Sequence, residues 1–172
     1  RRFAQVSHEY LIEQVQFTGD ETLSTGSNNI KLNFNHPVKE LVWVGQTSHQ
    51  KRASGNAATQ PCQFTTMRNS DNSSAKLQLN GHDRFAERLG SYFNLVQPYQ
   101  HHTRIPSGNV YVYSFALKPE EHQPSGTCNF SRIDNAKLNF DSSPHSGTIN
   151  VYAVNYNVLR IMSGMGGLAY SN

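Results

Sequence analysis

Apolar and polar residues alternate with period two in one run after another of this chain, and that pattern restricts it to a sheet-based fold. In residues 29–35 ("NIKLNFN"), Ile30, Leu32 and Phe34 fall on one face and polar residues on the other. Residues 10–18 ("YLIEQVQFT") alternate over part of their length and end at Gly19-Asp20. Residues 40–46 ("ELVWVGQ") are more uniformly apolar, as expected of a strand buried on both faces. Residues 75–80, 109–117, 136–140 and 148–162 continue the series, and a short run, "GLAYS", lies at 167–171. About eight strands separated by Gly, Pro, Asn and Ser turns predict an all-β antiparallel sandwich or barrel. Trp43, Val44, Leu77, Leu79, Val112, Phe115, Ile149, Val151 and Val154 are the expected core contacts.

A chain of 172 residues is one domain long, and at that size roughly 70% of the unfolded surface is buried on folding. Only 16% of its residues are charged. Asn, Ser, Gln and Thr supply the polarity behind a mean hydropathy of −0.61, which suits strands and long loops better than exposed helix faces. One segment departs from period two. In "DRFAERLGSYFNLVQPY" (residues 83–99), Phe85, Leu89, Tyr92, Phe93 and Val96 recur at helical spacing. The spacing predicts a helical insertion over residues 83–96, with Asp83 as N-cap and Pro98 as terminator. Residues 47–74 are polar and aperiodic, so a long surface loop is expected there.

The chemistry of the side chains points away from catalysis. The formal charge of +3 is too small to imply nucleic acid, and the basic pairs Arg1-Arg2 and Lys51-Arg52 lack interleaved aromatics. No apolar run approaches membrane-spanning length, and no signal peptide is visible. Cys62 and Cys128 make no multi-bridge framework; buried free thiols are the simpler reading, with one disulfide as the alternative. A cupin-type metal site needs His-x-His on one strand face, whereas His101-His102 are adjacent. "GMGGLA" (residues 164–169) matches a dinucleotide fingerprint in letters only, lacking a following helix and acidic residue, so a tight turn is expected. Asp83, Glu87, Glu120 and Glu121 lie beside turns and helix ends, where carboxylates cap or stay solvated. Sequons occur at Asn72 and Asn129. No catalytic residue, metal or cofactor is expected.

Residues 122–138, "HQPSGTCNFSRIDNAKL", combine a Pro-Ser-Gly turn with Asn129, Ser131 and Asn135, side chains that bond nearby backbone. Cys128, Phe130 and Ile133 give this stretch an apolar underside. Arg132 and Asp134, two apart in an extended segment, would share a face and pair in a buried or half-buried setting. The stretch reads as an ordered connection that locks two strands together.

That same run, "QPSGTCNFSRIDNAKL", resembles the most characteristic segment of the major capsid proteins of nucleocytoplasmic large DNA viruses, iridoviruses included. "LQLNGHDRFAERLGSYFNLVQPYQHHTRIP", "NVYVYSFALKPEEHQPSGTCNFSRIDNAKLNF" and "INVYAVNYNVLRIMSGMGGLAYSN" follow in family order, and "HEYLIEQVQFTG" is similar to the opening of the same domain. The resemblance implies an eight-stranded jelly roll, the second of two in a double jelly-roll protein; Arg1 in place of Met fits such a C-terminal half. It also implies homotrimeric, pseudo-hexagonal capsomers tiling an icosahedral outer shell. Minor capsid proteins and an internal membrane would lie nearby, with assembly in the host cytoplasm and no direct nucleic-acid contact. The aromatics of residues 82–106 exceed what one helix needs to cover its own core. Tyr92, Phe93 and Tyr99 are therefore the assembly candidates beside Arg132 and Asp134, and residues 47–74 are expected at the outer or inter-subunit surface. A carbohydrate-binding jelly roll, with the "SYFNLVQPY" aromatics as a sugar platform, is the alternative, and a cupin-like enzyme comes third.

Overall fold

The computed structural model describes residues 2–47, 74–141 and 146–171. Two facing antiparallel sheets make up the domain. The first joins β1 (His8–Leu23), β10 (Gly147–Met162), β3 (Pro37–Thr47) and β7 (Tyr111–Ser114) in that order, with β11 (Met165–Leu168) on β10 and β8 (Cys128–Asn129) on β3. The second joins β2 (Ser27–Lys31), β9 (Ala136–Asp141), β4 (Ser74–Leu79) and β5 (His82–Asp83), with β6 (Arg88–Leu89) on β4. Strands distant in sequence lie side by side, and the chain changes sheet at β1–β2, β2–β3, β3–β4, β6–β7, β8–β9 and β9–β10, the winding of a jelly roll. The expected all-β sandwich with a helical insertion is therefore present.

Pleating puts one face of each sheet into the core. Leu41, Trp43, Ile149, Val151 and Ala153 from the first sheet meet Ile30, Leu77, Leu138 and Phe140 from the second. Each fully buried side chain of this size contributes roughly 1.5–3 kcal/mol. Of the expected core, Trp43, Leu77, Ile149 and Val151 lie in it, and Leu79 and Phe115 pack at its margin. Val44 and Val112 are buried but lie outside this cluster. Val154 is a correction. Ile149, Val151 and Ala153 face inward, so the alternation turns Tyr152 and Val154 to the outer face, where both are half-buried.

The corner from β1 to β2 is closed by the buried Asn28. Its Oδ1 accepts from Ser24 N at 2.8 Å, and its Nδ2 donates to the Ser24 and Gly26 carbonyls, both at 2.8 Å. Ser163 (φ +51°) and Gly164 (φ +79°) form the expected tight turn, a two-residue hairpin between the paired Met162 and Met165.

The helical insertion starts later than the sequence implies. Asp83 pairs with Gln78 in β5, and Leu89 pairs with Ser74 in β6, so no helix forms before Gly90. A π turn spans Tyr92–Val96 and continues into α1 (Gln97–His101). Pro98 does not end the helix. It occupies the first positions of α1, where its missing N–H breaks no bond, and Gln97 N–H donates to Tyr92 O one wide turn back. Most of the expected 47–74 surface loop, with Cys62 and Asn72, lies outside the described residues.

Candidate functional site

The helical segment lies along β7, an edge strand of the first sheet. Asn94, fully buried, donates from Nδ2 to the carbonyls of Gly108 (3.1 Å) and Val110 (2.8 Å), on the chain entering β7. Buried Gln97 accepts from Ser114 N at 3.1 Å and donates to Tyr92 Oη at 2.8 Å. These side chains satisfy edge groups that would otherwise be open to pairing with another strand.

The aromatic candidates separate into different roles. Phe93 is 0% exposed, with ring centroids 5.1 Å from Trp43 and 5.5 Å from Phe85. Tyr92 sits half-buried at the rim, edge-on to Phe93 and beneath the Arg88 guanidinium, 5.6 Å from its ring centre. Tyr99 is 77% exposed and looks outward with Leu95 and Val96. The three do not form one cluster: Phe93 anchors, Tyr92 flanks and Tyr99 is presented. Nor do they form a flat sugar platform, because Phe93 is enclosed in the core, Tyr92 stands edge-on to it and only Tyr99 is fully presented.

The 122–138 connection is ordered, but not by the charged pair. Asn129 Oδ1 accepts from Ser131 N at 3.1 Å and caps a 3₁₀ turn, Phe130–Arg132. Phe130 is buried edge-on to Phe34 and Phe115. Ser131 Oγ accepts from His36 N at 2.8 Å, and Asn80 Oδ1 accepts from both Asp134 N and Asn135 N at 3.1 Å. Gly126 (φ +143°) is obligatory, since a Cβ there would stand 2.7 Å from the Phe115 carbonyl oxygen. The expected buried Arg132–Asp134 pair is corrected: both side chains are exposed. Arg132 belongs to the 3₁₀ turn, so the two do not share the face that an extended segment would give them. Cys128 is half-buried, and burial pushes its thiol up.

Two features were not foreseen. The outer face of the first sheet carries a ladder of apolar cross-strand pairs. Phe17 stacks on Tyr152 at 4.7 Å, Val15 pairs with Val154, and Leu11 pairs with Val158. Phe17, Val15 and Leu11 are 48%, 65% and 36% exposed. The signal was present in "YLIEQVQFT", whose second face is itself apolar at three positions. The same sheet also holds buried charge. Lys39, only 3% exposed, pairs with Glu13 at 2.6 Å and lies 5.5 Å from the Tyr156 ring centre. Beside it, burial pushes the Glu40 carboxyl up, against the opposing pull of His102 and Lys39. A Lys-Glu pair inside an otherwise apolar strand was the readable clue.

The geometry is thus two facing sheets, one with an apolar outer ladder, and the described residues hold no group of three or more candidate metal ligands. Residues 1–167 match the family described as large eukaryotic DNA virus major capsid protein, and the chain belongs to that family. It is 57% identical to the major capsid protein of Pyramimonas orientalis virus over 100% of this chain and 45% of that one. Identity to the major capsid protein of Paramecium bursaria Chlorella virus 1 is 47%, over 99% of this chain and 50% of that one. In a quasi-atomic model of the PBCV-1 virus capsid, a chain 43% identical superposes with a TM-score of 0.77, covering 99% of this chain and 53% of that chain. The chain thus spans about half the length of the curated relatives it matches.

Proposed function

We propose that this domain is one roll, the second of two, in a major capsid protein whose trimers form pseudo-hexagonal capsomers of an icosahedral shell. Family membership supports the shell role. The observation that carries the assembly role is the exposed ladder of Leu11, Val15 and Phe17 against Val158, Val154 and Tyr152. The Glu13–Tyr156 pair lies between the Leu11 and Val15 pairs, and exposed apolar pairs on both sides of it fit a face that another protein covers. The natural occupant is a neighbouring roll, since repeated moderate contacts become cooperative in a closed lattice. Tyr99, Leu95 and Val96 supply a second apolar surface at the helical edge, and Arg132 and Asp134 are exposed candidates for polar contacts at a rim. The role is structural rather than catalytic. Minor capsid proteins as neighbours, an internal membrane beneath the shell and assembly in the host cytoplasm complete the reading, on the strength of the family resemblance.

Placing Asp at both Val15 and Phe17 in the full-length protein tests the assembly role. Both side chains are exposed, so circular dichroism should show an unchanged fold. Sedimentation should show loss of the trimer. A normal trimer from this variant would remove the outer face from the assembly surface.

A further inference from the structure

Asn80-Gly81 is the one Asn-Gly pair in the chain, and the fold holds its side chain fast. The pair makes the two-residue turn between β4 and β5, whose flanking residues Leu79 and His82 are partners. Asn80 (φ +51°) and Gly81 (φ +82°) both lie in the left-handed region, as a type I′ turn requires. This turn is tied to the end of the 122–138 connection. Asn80 Oδ1 accepts from Asp134 N and Asn135 N, each at 3.1 Å, and Asn80 N donates to Asn135 O at 2.7 Å. Beside it, Leu79 pairs with Ala136 at the start of β9. One carboxamide oxygen therefore serves two backbone donors that are 54 and 55 residues away.

An Asn-Gly pair is also the sequence most prone to lose its side-chain amide, because glycine carries no side chain to hinder attack by its own nitrogen. The Gly81 backbone nitrogen adds to Asn80 Cγ and gives up its proton. The Cγ–Nδ2 bond breaks, and Nδ2 leaves with that proton as ammonia. One water then opens the five-membered succinimide. Attack at Cγ gives aspartate; attack at the backbone carbonyl carbon gives isoaspartate, whose main chain runs through Cβ and Cγ. Asn80 and Gly81 are both exposed, so water reaches them. Two features of the fold oppose the first step. A type I′ turn points Gly81 N away from the Asn80 side chain, so the backbone must rotate before the ring can close. The carboxamide must also swing toward Gly81, which it cannot do while its oxygen holds Asp134 and Asn135.

We propose that Asn80-Gly81 is a deamidation site gated by its own docking. It is closed while Asn80 Oδ1 is bound to the 134–135 backbone, and reactive when the β4–β5 turn lifts away. The two products have opposite consequences. Aspartate keeps a carboxylate oxygen where the carboxamide oxygen stood, so both backbone donors stay satisfied. Isoaspartate adds a methylene to the main chain of a two-residue turn, which breaks the register that seats it beside Ala136. The site is independent of the assembly reading, since it concerns only how this turn is held.

Peptide mapping by mass spectrometry tests it on the full-length protein, incubated in mildly alkaline buffer with and without denaturing guanidinium. In the denatured chain, residue 80 should convert ahead of the other asparagines. In the native protein it should convert slower by about tenfold or more, because only the open fraction reacts. Ile133 packs against the core beneath the connection, so Ile133→Ala should loosen it. Native conversion at residue 80 should then speed up while the denatured rate stays the same. Wild type in guanidinium below its unfolding transition serves if that variant does not fold: conversion should rise in step with hydrogen exchange at the Asp134 and Asn135 amides. Slow conversion at residue 80 in the denatured chain would remove the site. Equal native and denatured rates, or native conversion that ignores the opening of those two amides, would overturn the gate.

Discussion

Truncating Glu13 and truncating Lys39 should have unequal costs, although each removes the same ion pair. Lys39 is 3% exposed and Glu13 is 34% exposed, with Nζ and Oε1 2.6 Å apart. Glu13→Ala leaves an ammonium inside the protein. Breaking a fully buried pair from one side costs about 3–5 kcal/mol. Here the Tyr156 ring and the nearby Glu40 retain part of the compensation, and solvent at Glu13 already screens part of the pair. A cost of about 2 kcal/mol results. Lys39→Met keeps the buried stem and leaves a Glu13 that turns to water, so its cost should stay under about 1 kcal/mol. For a domain of this size the difference corresponds to roughly 2–4 °C in melting temperature. The assay is urea denaturation of the domain, followed by the fluorescence of Trp43, the chain's one tryptophan and 1% exposed. Equal losses from the two variants, or a larger loss from Lys39→Met, would show that Lys39 is not held as a buried charge.

The remaining expectations concern packing, backbone and acid. Phe93→Ala should cost about 3–5 kcal/mol in denaturation, because its ring is wholly enclosed. Tyr99→Ala should stay within about 0.5 kcal/mol for the fold while weakening the trimer in sedimentation. Gly126→Ala should destabilise by about 1–3 kcal/mol, since its φ and the Phe115 carbonyl both oppose a Cβ, whereas Gly108→Ala, with open space around it, should not. In acid, Asp83 is held below the usual carboxylate range first by the Gln78 side-chain hydrogen bond, and Glu120 first by the Thr103 backbone N–H. Depressed carboxyls stabilise above their unfolded values near 4 and lose that contribution as pH falls through the folded ones. Melting temperatures should therefore drop between about pH 4 and 2, and Asp83→Asn with Glu120→Gln should flatten that limb.

Strands were legible because alternation reports one buried face locally, as at Ile30, Leu32 and Phe34. What failed depended on information from elsewhere in the chain. Residues 83–89 keep helical spacing, yet β4 offers a free edge that recruits Asp83 and Leu89 into pairing. Pro98 signals a stop only for an ordinary α-helix, and the π turn before it changes that rule. Arg132 and Asp134 would have shared a face in a strand, but Asn129 caps a 3₁₀ turn there. Asn80 and the Asp134–Asn135 backbone stand 54 and 55 residues apart, so no local spacing connects them; only the folded chain brings them together. Family motifs conveyed the shell role, whereas the apolar ladder on β1 and β10 had to be seen across two paired strands.

As a shell roll, this domain would have its outer sheet face covered by a neighbour. An electron-cryomicroscopy reconstruction of capsomers assembled from the full-length protein addresses it most directly. Trimers with a pseudo-hexagonal outline are expected, in which Leu11, Val15 and Phe17 are buried against an adjacent roll. Protein that stays monomeric, or capsomers in which that ladder faces solvent, would contradict it.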